Sequence, residues 1–391
     1  MAKADRPFDI VVYGATGYTG RLVAEYLAHH YAGRADAPKW AMAGRSKAKL
    51  EEVRDLIGAP ADTPLIVANS DDPASMKALA EQTRVVVTTV GPYQLHGEPL
   101  LKACVDAGTD YADLCGEPVW MRQMADRYHE AAKKSGARIA FSSGFDSIPF
   151  DLGVLMLQKH AVKTHGSPAP RVKGRMRAMQ GGVSGGTAAS LGATLKTLAA
   201  DPSLVPIMTS PFGLTPGFEG PTQPPADKPT HDETLDSWCA PFVMAVINVK
   251  NVHRTNYLLG HPYGEDLVYD EMVLTGPGEQ GEGIANHLAS TPMIGTPNDP
   301  KPGEGPTPEQ RQNGFYDVLF VGEWPDGSTV RYGVKGKYDP GYGSTSRMLA
   351  ETGIALLSCK ADGAIATPGA LLGEALVKRL QDEAEITFAA E

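Results

Sequence analysis

Apolar residues in the first 142 positions come in short unbroken runs, separated by stretches of helical periodicity. Phe8–Tyr13, Lys39–Ala43, Leu65–Ala68, Val85–Val90, Tyr111–Leu114 and Arg138–Phe141 each predict a strand. Helices are predicted between them, over Lys47–Ile57, Ser75–Glu81, Gly97–Ala107 and Val119–Lys134, with another starting near Gly17. Runs without alternation suit strands buried on both faces, as in a parallel sheet. Strand and helix in strict turn predict a Rossmann-like, doubly wound α/β domain over residues 1–150.

The turn after the first strand reads Gly14-Ala15-Thr16-Gly17-Tyr18-Thr19-Gly20. Glycine at these positions permits a tight turn, close approach of backbone to a diphosphate, and close packing of helix on strand. The helix that follows would turn its open N–H groups and positive dipole end toward that diphosphate. The second strand ends in Gly44-Arg45-Ser46-Lys47. A site for NAD calls for an acidic residue here, on the ribose 2′-OH, whereas a 2′-phosphate calls for a cation. The acid is absent, Arg45 offers a planar fork, Ser46 a hydroxyl, and Lys47 or Lys49 further charge. NADP(H) is the expected cofactor. The alternative, that Arg45 and its neighbours do no more than solvate the start of the helix Lys47–Ile57, is the weaker reading.

Texture changes past Asp151. A helix over Leu152–His160 precedes a strand over Arg171–Met179, and Gln180–Thr187 is glycine-rich before a helix at Ala188–Leu198. That loop reads either as a second anion-binding helix start or as a flexible connection. Residues 202–241 and 276–308 are rich in Pro and Gly with little periodicity, as lids, binding loops or partner surfaces are. Phe242–Asn248 is an apolar strand candidate, and Tyr316–Glu323 with Thr329–Lys337 predicts a hairpin around Pro325-Asp326-Gly327. Residues 151–338 are thus expected to form a second, mixed α+β domain for substrate or dimerisation. Residues 339–391 should form helices packed back on the first domain, one over Ser344–Ser358 and one over Ala370–Gln381 with its cap at Thr367–Gly369.

A chain of 391 residues exceeds the usual reach of one core. Its 36 basic against 46 acidic residues, net −10, argue against nucleic acid or anionic membrane as a general partner. No apolar run approaches the roughly 20 residues of a membrane span, and no signal region precedes the first strand, so a cytoplasmic location is expected. Cys104, Cys115, Cys239 and Cys359 form no CxxC pair and the histidines show no ligand spacing, so neither metal nor disulfides are expected.

With these segments in view, the chain resembles the saccharopine dehydrogenase-like oxidoreductases. The matching residues are Gly14–Val23, Ala43-Gly44-Arg45-Ser46, Gly91-Pro92-Tyr93, Tyr111–Glu117 and Gly144-Phe145-Asp146-Ser147-Ile148-Pro149. Pro241–Ala245, Asp339–Thr345 and Thr367–Ala370 look like the branch of trans-acting enoyl reductases. The resemblance implies an NADPH-dependent reduction of a carbon–carbon double bond on an acyl intermediate of polyketide-lipid assembly. The alternatives are an amino-acid dehydrogenase of the saccharopine kind and a non-catalytic NADPH-binding scaffold or sensor. A dicarboxylate substrate would need cations, and Arg171, Lys173, Arg175 and Arg177 share one strand face that could supply a basic wall or simply be solvated.

The cofactor is assigned to residues 14–20, Arg45, Ser46, Gly91 and Pro92. Tyr93 is the candidate proton donor, with a plain aromatic plug as the rival reading. Cys115, Asp146, Ser147, Ser184, Tyr342 and Tyr93 itself are candidate substrate contacts. Asp146 reads more readily as a helix cap, and Cys115 as a small buried thiol. A small or carrier-bound acyl group is the expected partner, and a homodimer is compatible with the length.

Overall fold

The computed structural model describes residues 3–182, 185–291, 300–301 and 303–391. The first part of the chain supplies strands β1 (Phe8–Tyr13), β2 (Trp40–Gly44), β3 (Leu65–Val67), β4 (Thr83–Thr88), β5 (Asp110–Ala112) and β6 (Arg138–Ala140). The remainder supplies β7 (Arg171–Gln180), β8 (Thr230–Asp232), β9 (Ser237–Pro241), β10 (Val268–Gly276), β11 (Phe315–Glu323), β12 (Thr329–Lys337), β13 (Ala364–Ala366) and β14 (Ile386–Ala390). Among the described residues these form two sheets, ordered β13-β6-β5-β4-β1-β2-β3 and β14-β12-β11-β7-β10-β9-β8. Every pairing in the first is parallel, and in the second only β7 and β10 run parallel.

The unbroken runs that predicted the first sheet are unbroken because both faces are covered. Ile10, Val12, Val85 and Val87 point into one core, and Val11 and Val86 into the other, all fully buried. The first of these cores continues without interruption to Phe150, Phe320 and Leu349, so both sheets share it. Two helices fill the space between. Ile148–His165 packs so closely on β11 that a Cβ at Gly153 would collide with the Phe320 ring. Thr345–Ser358 lies on β4, where a Cβ at Gly353 would stand 2.6 Å from Val87.

Four features depart from the sequence expectations. The tail carries more than helices: Ala364–Ala366 adds a seventh strand beside β6, and Ile386–Ala390 an edge strand beside β12. Phe242–Asn248 is no strand, because the chain turns after β9 into the helix Ala245–Leu258. Short apolar runs look alike in helix and strand, and this helix hides its periodicity by burying Asn248, Asn251, Thr255 and Asn256 beside its apolar residues. Strand β10 went unseen because Asp270 and Glu271 interrupt it, yet both are buried there. The segments 202–241 and 276–308 contain regular structure, notably β8, β9 and the helix Gly278–Ser290.

Candidate active site

The glycine turn folds as its residue types require. Gly14 has φ +88°, and a Cβ there would stand 2.7 Å from Val90 Cγ2. A Cβ at Gly20 would collide with the Gly14 carbonyl and stand 2.7 Å from Thr89 Oγ1, so only glycine lets the helix Tyr18–His30 sit this close to β1 and β4. Gly17 caps that helix without a side-chain acceptor, which leaves its first-turn N–H groups to an anion. The turn is tied down by the Gly14 and Ala15 amides, which donate to Ala43 O at 3.0 and 3.1 Å. Thr16 packs beside Gly44, bringing the end of β2 against the turn.

Arg45 is exposed at that end and has no ion-pair partner among the described residues; its charge is felt by the Tyr13 phenol. Ser46 caps the helix Lys47–Leu56, accepting from the Lys49 amide while its own proton stays available. Lys47 is partly occupied by Glu51, at 3.7 Å. A phosphate-sized cradle beside an unpaired guanidinium fits an NADP(H) diphosphate over residues 14–20 and its 2′-phosphate at Arg45 and Ser46.

Elements of the second part of the chain close over this turn. Tyr18 OH donates to Pro306 O and accepts from Arg311 Nη1 at 3.0 Å, while the Tyr342 ring meets Tyr18 edge-on at 5.2 Å. Tyr342 OH lies 3.1 Å from Thr187 Oγ1 at the start of the helix Gly185–Ala200. Gly91 faces Ser190 of the same helix, and Gln94 bonds its Thr194 and Thr197. Pro92 caps the helix Tyr93–Ala107. Tyr342 and Gly91 are thus brought to the cofactor turn or its neighbouring strand end. Ser184 lies outside the described residues.

Tyr93 is placed elsewhere. Its ring is buried against Trp120, and its hydroxyl donates to Thr88 O and accepts from the Leu114 amide at 3.1 Å. Burial raises its pKa far above that of a free phenol. The proton-donor role expected of it finds no support in this placement, and the aromatic plug describes it. Cys115 is fully buried, with its thiol pushed up by burial and its Sγ accepting from the Glu117 amide. It is therefore inert and cannot touch a substrate in this fold.

The loop after β6 holds the polar chemistry. Asp146 does not cap the helix Ile148–His165, whose N-cap is Ser147 without a side-chain bond, so the capping expectation fails. The Asp146 carboxylate lies instead over Gly116, where a Cβ would stand 3.2 Å from Oδ2. It is half-buried, and loss of hydration lifts its pKa to about 7. Ser147 Oγ accepts from Asn251 Nδ2 at 2.8 Å, and Asn251 Oδ1 is buried without a protein partner.

Sequence reasoning missed several groups here. Glu117 holds the Tyr93 and Gln94 amides at 2.9 Å, capping that helix from across the cleft floor. Asn248 Nδ2 donates to Glu271 Oε2 at 2.9 Å, and Tyr269 OH donates to Oε1 at 2.8 Å; burial lifts the Glu271 carboxyl to about 8. Arg311 was likewise unmarked, since nothing in its surroundings along the chain signals a partner 293 positions away. Of these, only Glu117 falls in a segment singled out in the sequence, Tyr111–Glu117.

The β7 cations that could have made a basic wall are spent internally. Arg175 pairs with Asp232 at 3.0 Å and Asp270 at 2.9 Å, Arg171 with Asp270, and Lys173 with Asp232 and Glu323. Arg177 pairs with Asp317 and Glu391, each at 2.6 Å.

Comparison with known proteins places this geometry. Residues 10–139 match the family model described as the saccharopine dehydrogenase NADP binding domain. A trans-acting enoyl reductase of Mycobacterium tuberculosis is 36% identical over 97% of both chains. A second protein of that species, which bears the same name provisionally, is 38% identical over the same share. The chain belongs to the trans-acting enoyl reductase branch of the saccharopine dehydrogenase-like family. It is an NADP-dependent oxidoreductase, and NADP(H) is its cofactor. The saccharopine dehydrogenase (L-Glu forming) of Saccharomyces cerevisiae shares the fold, with a TM-score of 0.55 at 11% identity, covering 98% of this chain and 99% of that one. No helix among the described residues is long and apolar enough to cross a membrane.

Proposed function

We propose that this chain reduces the carbon–carbon double bond of an acyl thioester carried as an intermediate of polyketide-lipid assembly. Residues 1–150 hold the cofactor, the second sheet and its loops form the opposite wall, and the work is done in the cytoplasm. The observation that carries this reading over the saccharopine kind of reaction is the fate of the β7 cations. An amino-dicarboxylate needs free guanidinium or ammonium groups, and Arg171, Lys173, Arg175 and Arg177 are each already held by carboxylates of this chain. The names of its full-length relatives point the same way. The test is NADPH oxidation at 340 nm with crotonyl-coenzyme A against glutamate with an aldehyde acceptor or lysine with 2-oxoglutarate. Turnover with the enoyl thioester alone supports the reading; turnover with an amino-acid pair alone ends it.

A further inference from the structure

Reduction of an enoyl thioester needs a proton as well as a hydride, and Tyr93 cannot supply it. Strand order sets where to look. β2, with Arg45 at its end, lies on one side of β1, and β4, β5 and β6 lie on the other. A dinucleotide bound by its 2′-phosphate at Arg45 and its diphosphate at the glycine turn has its redox end on the flank of β4, β5 and β6. The loops after β5 and β6 meet there, with Asp146 lying over Gly116.

From this arrangement we infer that Asp146 is the proton donor of the reaction. Its backbone is pinned on both sides: the Phe145 amide donates to Thr345 Oγ1 at 2.9 Å, the Ser147 amide to Ser142 O at 3.0 Å, and the Ile148 amide to Gly144 O at 2.8 Å. Its carboxyl, by contrast, has neither an ion pair nor a side-chain hydrogen bond among the described residues and meets only its own backbone amide, and the residue is partly exposed while its neighbours Phe145 and Ser147 are buried. Other acids of the region are committed. Glu117 serves two amides, and Asp113 is fully buried, holding the Cys115 and Ser142 amides and the Tyr111 hydroxyl. The bare backbone of Gly116 keeps the approach to Asp146 clear. Among titratable groups, the Cys115 thiol feels the Asp146 charge, and no cation among the described residues bears on it to hold the carboxylate ionised. With its pKa near 7, the carboxyl keeps a substantial protonated fraction at neutral pH.

This assignment rests on the enoyl reductase reading. When bound, NADPH supplies a hydride to the carbon β to the thioester carbonyl. Asp146 then gives its proton to the α carbon: its O–H bond breaks, the α C–H bond forms with the electron pair of the former double bond, and the carboxylate left behind takes a proton from solvent. General acid catalysis of this kind is worth roughly 10²–10⁴ in rate.

The experiment compares wild type and Asp146→Asn with crotonyl-coenzyme A from pH 5.5 to 9. In the wild type, kcat falls as pH rises through about 7, where Asp146 loses its proton. D146N loses that limb and about a hundredfold or more in kcat, while NADPH binding by fluorescence changes less than twofold. Infrared difference titration of the cofactor-free proteins adds a readout independent of turnover: burial lifts Asp113 and Asp151 to about 7 as well, so the carboxyl intensity titrating near pH 7 is smaller in D146N than in the wild type by the share of one group. A wild-type profile flat across pH 7, or D146N within threefold of wild-type kcat, overturns the assignment. A flat wild-type profile is decisive even if the variant folds poorly, whereas a limb near pH 7 is credited to Asp146 only where D146N removes it, since burial lifts Asp113 and Asp151 to about 7 and Glu271 to about 8. A wild type that never oxidises NADPH with the enoyl thioester overturns the enoyl reading itself, and the assignment with it.

Discussion

Replacing Arg45 with alanine should separate NADPH from NADH. The guanidinium is exposed and has no competing carboxylate among the described residues, so its charge is available to a 2′-phosphate bearing nearly two negative charges at pH 7. At about 4 Å, unit charges interact by about 1 kcal/mol in bulk water and about 4 kcal/mol at the effective dielectric of a protein surface. An open site lies toward the lower figure, and two charge-assisted hydrogen bonds of a planar fork add to it. A net loss of about 2–3 kcal/mol, roughly 30- to 150-fold in Kd, is expected for NADPH. NADH lacks the phosphate and should bind Arg45→Ala within about twofold of wild type. The assay is fluorescence titration of both nucleotides at about 50 and 500 mM salt. The wild-type preference for NADPH should shrink at the higher salt, since a Debye length of about 10 Å at 0.1 M screens exposed charge. Lysine at 45 should recover only part of the preference, having charge but no fork. Equal weakening of both nucleotides would refute the reasoning, for it would mean that Arg45 supports the turn and does not choose the cofactor.

Two further outcomes follow from the buried groups. Tyr93→Phe removes the acceptor of the Leu114 amide, which should cost about 1–2 kcal/mol in denaturant unfolding and leave kcat within twofold; a hundredfold loss of kcat at unchanged stability would return the hydroxyl to the chemistry. Glu271 has its folded pKa raised from 4.5 to about 8, so the folded state holds a proton that the unfolded chain has released, and this acid costs stability as pH climbs through that window. Glu271→Gln should therefore gain on wild type by about 1.4 kcal/mol per pH unit between about pH 5 and 7.5; a difference between the two that is constant from pH 5 to 8 would show Glu271 to be ionised in the native state.

Legibility along the chain followed the physics of each element. The parallel sheet could be read because burial on both faces writes an unbroken apolar run, and β1 and β4 are such runs. The glycine turn could be read because Gly14 and Gly20 answer to local sterics, a positive φ in one and a collision with a carbonyl in the other. Strand β10 and the helix Ala245–Leu258 could not, since their cores contain Asp270, Glu271, Asn248 and Asn251. Such residues look like surface until their partners, Arg171 and Arg175 for Asp270 and Asn248 for Glu271, arrive from elsewhere in the chain. Tyr93 and Asp146 were hard to place for the same reason. The fold seats the Tyr93 ring against Trp120, while the aspartate that suggested a cap makes no cap and no ion pair among the described residues.

What the sequence determined by itself was the reductant. Glycines spaced for a diphosphate and an arginine where an acid would select NAD are local requirements, satisfied at the ends of two adjacent strands and the turns that follow them. What only the tertiary structure decided was the other half of the reaction. Which carboxyl stays unpaired, which tyrosine is sealed in, and which arginines are cancelled by carboxylates up to 214 positions away are properties of side chains meeting across two sheets. No local pattern encodes those meetings, because the free energy of an ionisable group is set by its solvation and its neighbours, and the fold alone brings the neighbours together.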